Sequence, residues 1–261
     1  MIWSFISDLF LGQKGMRLFS CFFVESPIMI GFILLLMSLI NVAQANQFPV
    51  KLGNSLVIIQ QQQHGFGKAF VHLHQNETTA LKAAKAVIRT EGGSLLTLVH
   101  SGQRNIVFYL NHKRYEFDPN RIFTDPGIKK TMLQFGEYTP EAHAQVKVLA
   151  DKIKRLIPKG KVIAVHNNES YSLNDYKAGH SLAGEAQLLN INHQNFFRNF
   201  YLVTQKNDYS RLKKMRFNSV LQTNTATDDG SLSIFLADAS YINVEAGYDQ
   251  LEAQIKMIRH A

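Results

Sequence analysis

The sequence contains a single cysteine, Cys21. It lies within the first 45 residues, ahead of the expected folded domain, which therefore has no thiol. That excludes a disulfide-stapled module, thiolate nucleophiles and cysteine-rich metal sites. Internal repeats and recognisable interdomain linkers are also absent, and the four glutamines at 60–63 are too few to form a low-complexity tract. No apolar run reaches the roughly 18 residues that a membrane-spanning helix needs. The longest, from Ile28 to Ile40, follows Arg17 and leads into Asn41-Val-Ala-Gln-Ala45. A basic flank, a short apolar stretch and small residues at Ala43 and Ala45 form the pattern of a secretory signal cut before Asn46, with Met16 as a candidate start. The alternative is an uncleaved N-terminal anchor. The expected organisation is a signal over 1–45 and one domain over 46–261 that is periplasmic or secreted, with no stable membrane span after cleavage.

Acidic residues are also in deficit, with 20 Asp and Glu against 28 Lys and Arg and a net charge of +8. An exported basic domain favours anionic partners such as cell-wall polymers, lipid head groups or carboxylate-bearing substrates. Export argues against nucleic acid.

Apolar periodicity predicts strands over 55–59, 69–73, 95–99, 161–165 and 241–246, a hairpin over 105–117, and an aromatic strand within 195–204. Helices are expected over 78–88, 140–157, 211–221, 231–239 and 248–258. Thr78 or Thr79 caps the first, and Thr139-Pro140 opens the second. The polar stretch 170–194 reads as a long loop. Alternation of strands and helices implies a single α/β domain: a mixed, mostly parallel twisted sheet with helices on both faces and ligands at the C-terminal strand edges.

Polar residues capable of chemistry stand where strands end. His74 and Glu77 are three apart at a strand-to-helix junction, a spacing that lets both face one metal ion. With ten His and ten Glu in the chain, one such pair is close to a chance occurrence. His166 closes the strand at 161–165, and Glu245 interrupts an otherwise apolar strand, where a buried unpaired carboxylate costs several kcal/mol. Asn120 and Arg121 follow the hairpin, and a guanidinium is a planar fork for a carboxylate. Each also has an ordinary reading: a hydrogen-bonded histidine, a turn asparagine, an arginine in an ion pair. His72 shares a strand face with His74, which gives it access to the same site without assigning it a role there. Glu169 forms a second His-x-x-Glu with His166 but is left out of the ligand set because the first pair has the better helix behind it.

Taken together, His74-Gln-Asn-Glu77-Thr-Thr-Ala80, Asp118-Pro-Asn120-Arg121, Val162-Ile-Ala-Val-His166 and Asn243-Val-Glu245-Ala-Gly247 resemble, in order and placement, the motifs of the zinc carboxypeptidase superfamily. That group includes peptide carboxypeptidases and the succinylglutamate desuccinylase and aspartoacylase deacylases. The resemblance implies one Zn²⁺ per chain held by His74, Glu77 and His166, with Glu245 as general acid and base. It implies Arg104 at the scissile carbonyl, with the turn 101–104 as its alternative anchor, and Asn120 and Arg121 on a substrate carboxylate. Two features depart from it: the segment 227–231 lacks the peptidases' tyrosine, and the deacylases carry a further C-terminal β domain where 16 residues follow Glu245 in this sequence. The expectation is a metallocarboxypeptidase acting on peptides or peptidoglycan stem peptides. The alternatives are an N-acyl amino acid deacylase and a metal-free envelope-binding protein on the same fold.

Overall fold

A computed structural model describes residues 44–261. The signal reading, apart from Gln44 and Ala45, lies outside the described residues. Among those residues no helix is long and apolar enough to cross a membrane.

The chain runs through β1 (Gln44–Leu52), β2 (Ser55–His64), β3 (Lys68–His72), α1 (Thr78–Glu91) and β4 (Gly93–Val99). The hairpin β5 (Ile106–Leu110) and β6 (Lys113–Phe117) follows, then a 3-10 turn (Pro119–Arg121), α2 (Asp125–Phe135), α3 (Pro140–Leu156) and β7 (Val162–Asn168). Two further 3-10 turns (Leu173–Tyr176 and Ala183–Glu185) lead to β8 (Ala186–Asn190), β9 (Phe200–Val203), α4 (Lys206–Lys214) and β10 (Ser219–Gln222). The chain closes with α5 (Leu232–Phe235), β11 (Tyr241–Gly247) and α6 (Leu251–His260).

Nine strands form one sheet in the order β1-β2-β4-β3-β7-β11-β9-β10-β8, and β5 and β6 pair separately. The expectation of a mostly parallel sheet is corrected. Four of the eight ladders are parallel (β4 with β3, β3 with β7, β7 with β11, β9 with β10) and the other four are antiparallel. The connections give the reason. A crossover helix returns the chain to the end of the sheet where the first strand began, so β3-α1-β4 and β9-α4-β10 are parallel, whereas the two-residue link from β1 to β2 makes an antiparallel pair.

Strand alternation builds a core on each face of the sheet. Val162 and Ala164 of β7 pack with Ile128 and Met132 of α2 and with Val146, Leu149 and Ile153 of α3. Ile163 and Val165 pack on the opposite face with Ala84 and Val87 of α1, Leu212 of α4 and Met257 of α6. α1 ends at Gly92, where φ is +77° and a Cβ would fall 2.2 Å from the carbonyl oxygen of Phe66, so only glycine fits.

Several expected elements differ. β2 continues through the glutamine run, where each of Gln60 to Gln63 has a register partner in β1 on one side and in β4 on the other. α2 falls in a stretch to which the sequence assigned no element; Pro126 sits in its first turn and Thr124 caps it by accepting from the Gly127 N–H at 3.1 Å. The expected helix over 211–221 is instead the end of α4 followed by β10. Lys213, Lys214 and Arg216 give 211–216 a helix-like composition, but Val220 and Leu221 are buried in the sheet. The helix expected over 231–239 shortens to α5, and the loop expected over 170–194 contains β8 and the two 3-10 turns. Nor does a threonine side chain cap α1: Glu77 is the N-cap residue, and Asn167 of β7 accepts the Ala80 N–H at 2.8 Å.

Candidate metal centre

β3, β7 and β11 are parallel neighbours, so their C-terminal ends lie side by side. Just beyond β3, the backbone turns from His74 into α1, with the Glu77 N–H donating to the His74 carbonyl at 3.0 Å. His166 lies in β7, and its register partner in β11 is Glu245. Register partners point to the same face about 4.8 Å apart, so these two side chains are neighbours.

His74, Glu77 and His166 are all buried and converge as a group able to hold a metal ion. His74 Nδ1 lies 2.9 Å from Glu77 Oε1, His166 Nδ1 lies 3.0 Å from Glu77 Oε2, and the two Nδ1 atoms are 3.1 Å apart. Ligands about 2.0–2.1 Å from a tetrahedral ion stand roughly 3.3 Å from one another, close to these separations. On the far side of the ring, His74 Nε2–H donates to Asp118 Oδ1 at 2.6 Å, which leaves Nδ1 directed inward.

Charge points the same way as geometry. Burial opposes the ionised form of Glu77, yet His74 and His166 hold it well below the ordinary carboxylate range, and His74 and Arg104 do the same for Asp118. Burial also opposes a charged His74, but Glu77 and Asp118 outweigh it and raise its pKa to about 9. Two buried carboxylates share the single Arg104 guanidinium, so the centre favours one further positive charge, either a proton on His74 or a cation between the rings. The donor set fits a cation.

His72 serves the centre from behind. Burial lowers its pKa to about 4, so the ring is neutral, and its Nε2–H donates to the Glu77 carbonyl at 2.9 Å. Arg104 reaches the centre instead of anchoring its own turn, with Nη1 at 2.5 Å from Glu77 Oε1 and Nη2 at 3.4 Å from Asp118 Oδ2. Gln75 holds that turn by accepting from the N–H groups of His100 and Gly102. Glu169 is exposed and stands outside the metal-holding group.

All seven expected site residues (His74, Glu77, Arg104, Asn120, Arg121, His166 and Glu245) line one cavity of about 750 Å³. Glu245 is clasped by two amides, accepting from Asn243 Nδ2 and Asn168 Nδ2, each at 3.0 Å. Asn120 turns its Oδ1 to the Leu232 N–H at 3.1 Å, and Arg121 Nε lies 3.5 Å from Asp229 Oδ2. A smaller cavity, about 460 Å³ beside Phe196 and Phe197, contains none of the seven.

Sequence reading gave no role to Asp118, Asn167, Asn168, Asn243 or Gln254. Asp118 stands in the same Asp-x-Asn-Arg string as Arg121, and Asn243 precedes Glu245 by one strand period, so both had a local signal. Asn167 and Gln254 had none. Asn167 Nδ2 donates to Gln254 Oε1 at 3.0 Å, Gln254 Nε2 donates to the His166 carbonyl at 2.8 Å, and the Asn167 N–H donates to Glu77 Oε2 at 3.1 Å. No protein-family model and no curated protein matches the sequence.

Proposed function

We propose that this chain is a zinc hydrolase of the zinc carboxypeptidase kind, holding one Zn²⁺ and cutting an amide bond near a free carboxylate. The substrates are peptides or peptidoglycan stem peptides outside the cytoplasm. The observation that carries this reading is the convergence of His74, Glu77 and His166 in one cavity with Glu245 and Arg121. The order of the sheet, which sets His166 and Glu245 on adjacent parallel strands, supports it further.

Zinc, when bound, would act as a Lewis acid and lower the pKa of water toward 7. Glu245, oriented by Asn168 and Asn243, takes a proton from the attacking water and passes it to the leaving amine. The C–N bond breaks, the water oxygen stays on the acyl carbon, and the amine departs protonated. The Arg104 guanidinium, held by Glu77 and Asp118, provides a fixed positive charge beside the reacting carbonyl. Arg121 and the Nδ2 of Asn120 take the substrate carboxylate, which fixes the scissile bond relative to Glu245.

Deacylation of N-acyl amino acids is the second reading, favoured by Asn76 in His74-Gln-Asn-Glu-Thr78, whose side chain lines the same cavity. Hydrolysis assays on stem peptides and on N-acyl amino acids separate the two. Metal analysis separates both from a metal-free binding protein. The full chain is expected to hold about one zinc that His74→Ala loses, whereas Glu245→Gln keeps the metal while turnover falls about 10²–10⁴-fold. A zinc-free protein under metal-replete conditions, or wild-type turnover in Glu245→Gln, defeats the proposal.

A further inference from the structure

The carboxylate seat at Arg121 has an acidic neighbour. Arg121 Nε and Asp229 Oδ2 are 3.5 Å apart, with side chains 38% and 36% exposed. An ion pair so long and so open contributes little, so each partner remains available to a ligand. Asp229 is nevertheless held in place. Its Oδ1 accepts from the Ser231 N–H at 2.9 Å, and the adjoining Asp228 Oδ1 accepts from Thr124 Oγ1 at 2.8 Å and from the Gly230 N–H at 2.9 Å. The Phe123 N–H then donates to the Gly230 carbonyl at 2.9 Å. Below it, a Cβ on Gly127 would come within 2.2 Å of the Gly230 Cα, so the loop seats directly on α2.

For a substrate end carrying only a carboxylate, Asp229 is a repulsive neighbour of the seat that Arg121 offers. An end carrying both a carboxylate and an ammonium would exchange the weak 3.5 Å contact for two charge-assisted hydrogen bonds, one to each residue. Spacing selects the kind of end. In an α-amino-acid head the nitrogen and the carboxyl carbon are about 2.5 Å apart, close enough to be bound at once by groups that are themselves neighbours. The side-chain ammonium of an extended lysine lies about 6 Å from its own Cα and would overshoot Asp229.

We propose that Arg121 and Asp229 together bind an intact α-amino-acid head, so that the preferred substrate is a diamino acid acylated on its other amine. This rests on the amide-hydrolase reading of the same cavity and narrows it, because an ordinary peptide C-terminus, whose α-nitrogen is itself the amide, has no ammonium to offer Asp229.

Nε-acetyl-lysine and 6-acetamidohexanoate share the same acetamide and carboxylate and differ only in the α-ammonium. Zinc-loaded full chain is expected to hydrolyse the first with a kcat/KM about tenfold or more above the second, and Asp229→Asn to bring that ratio near one. Asparagine keeps the acceptor for the Ser231 N–H, so the loop is retained. Nα-acetyl-lysine, with its ammonium at the far end, is expected to gain nothing from Asp229, and an Asp229-dependent preference for it would reassign the site to a terminal basic residue. Calorimetric binding of lysine against 6-aminohexanoate tests the clamp separately from hydrolysis. If the protein hydrolyses the probes at a ratio that Asp229→Asn does not alter, the clamp is overturned and the hydrolase stands. If it hydrolyses neither these probes nor stem peptides nor N-acyl amino acids, yet binds lysine in an Asp229-dependent way, the hydrolase is overturned and the clamp stands.

Discussion

His74 Nε2 lies 2.6 Å from Asp118 Oδ1, and the bond joins the first strand-to-helix turn to the end of the hairpin. It fixes which nitrogen of His74 carries a proton and so which lone pair faces Glu77 and His166. In Asp118→Asn a neutral amide replaces the carboxylate at nearly the same shape. Zinc affinity is expected to fall about 10–100-fold, read by competition with a chromophoric chelator. The variant should still fold, and an unchanged affinity would mean that the His74 ring is oriented by something else.

Metal-free protein should show a specific dependence on pH. The pKa of His74 is raised from 6.5 to about 9, so its contribution to stability is fully present below about pH 6.5 and is lost as pH rises through about 9. Thermal unfolding of chelator-treated protein is therefore expected at falling temperatures across that window. Zinc competes with the same proton, so its affinity should rise over the same range and the metal-loaded protein should resist the alkaline loss. Glu77 and Asp118 act in the opposite sense: their lowered pKa values stabilise the fold above the ordinary carboxylate range, a contribution that disappears in acid.

Asn167 supports the start of α1 from outside the helix. Its Oδ1 takes the Ala80 N–H and its Nδ2 the Gln254 Oε1, all within the buried interior. Asn167→Ala strands both partners and is expected to cost about 1–3 kcal/mol in urea unfolding. Because the same residue holds Glu77 Oε2 through its backbone N–H, which alanine retains, metal content should be largely preserved.

Residues acting through local order were readable in the sequence. His74 and Glu77 announce themselves by their spacing at a strand-to-helix junction, and Glu245 by its cost in an apolar strand. The helix α3 shows its Thr139 cap, its Pro140 and its apolar stripe within a single stretch. Long-range bonds were not readable. Asp118 and His74 are 44 positions apart, Asn167 and Gln254 are 87 apart, and neither pair leaves a periodic signature. Strand direction failed for a related reason, since β11 pairs parallel with β7 and antiparallel with β9, and nothing local to β9 records its neighbour. At 211–222 a basic composition concealed a change from helix to strand that only burial against the sheet decides.

The Gly127–Gly230 contact separates two kinds of change open to this protein. His74, Glu77, His166 and Glu245, the residues proposed to hold the metal and move the proton, stand on or beside β3, β7 and β11, where a shift in one side chain disturbs the rest. Asp229 belongs instead to a connecting loop, braced within itself by two carboxylate-to-backbone turns and seated on the body where Gly230 meets Gly127 and the Arg121 backbone and where Thr124 bonds Asp228. A change at the half-exposed Asp229 can therefore retune what is accepted while leaving the metal-holding residues in place, whereas any side chain at Gly230 would press on the Arg121 backbone.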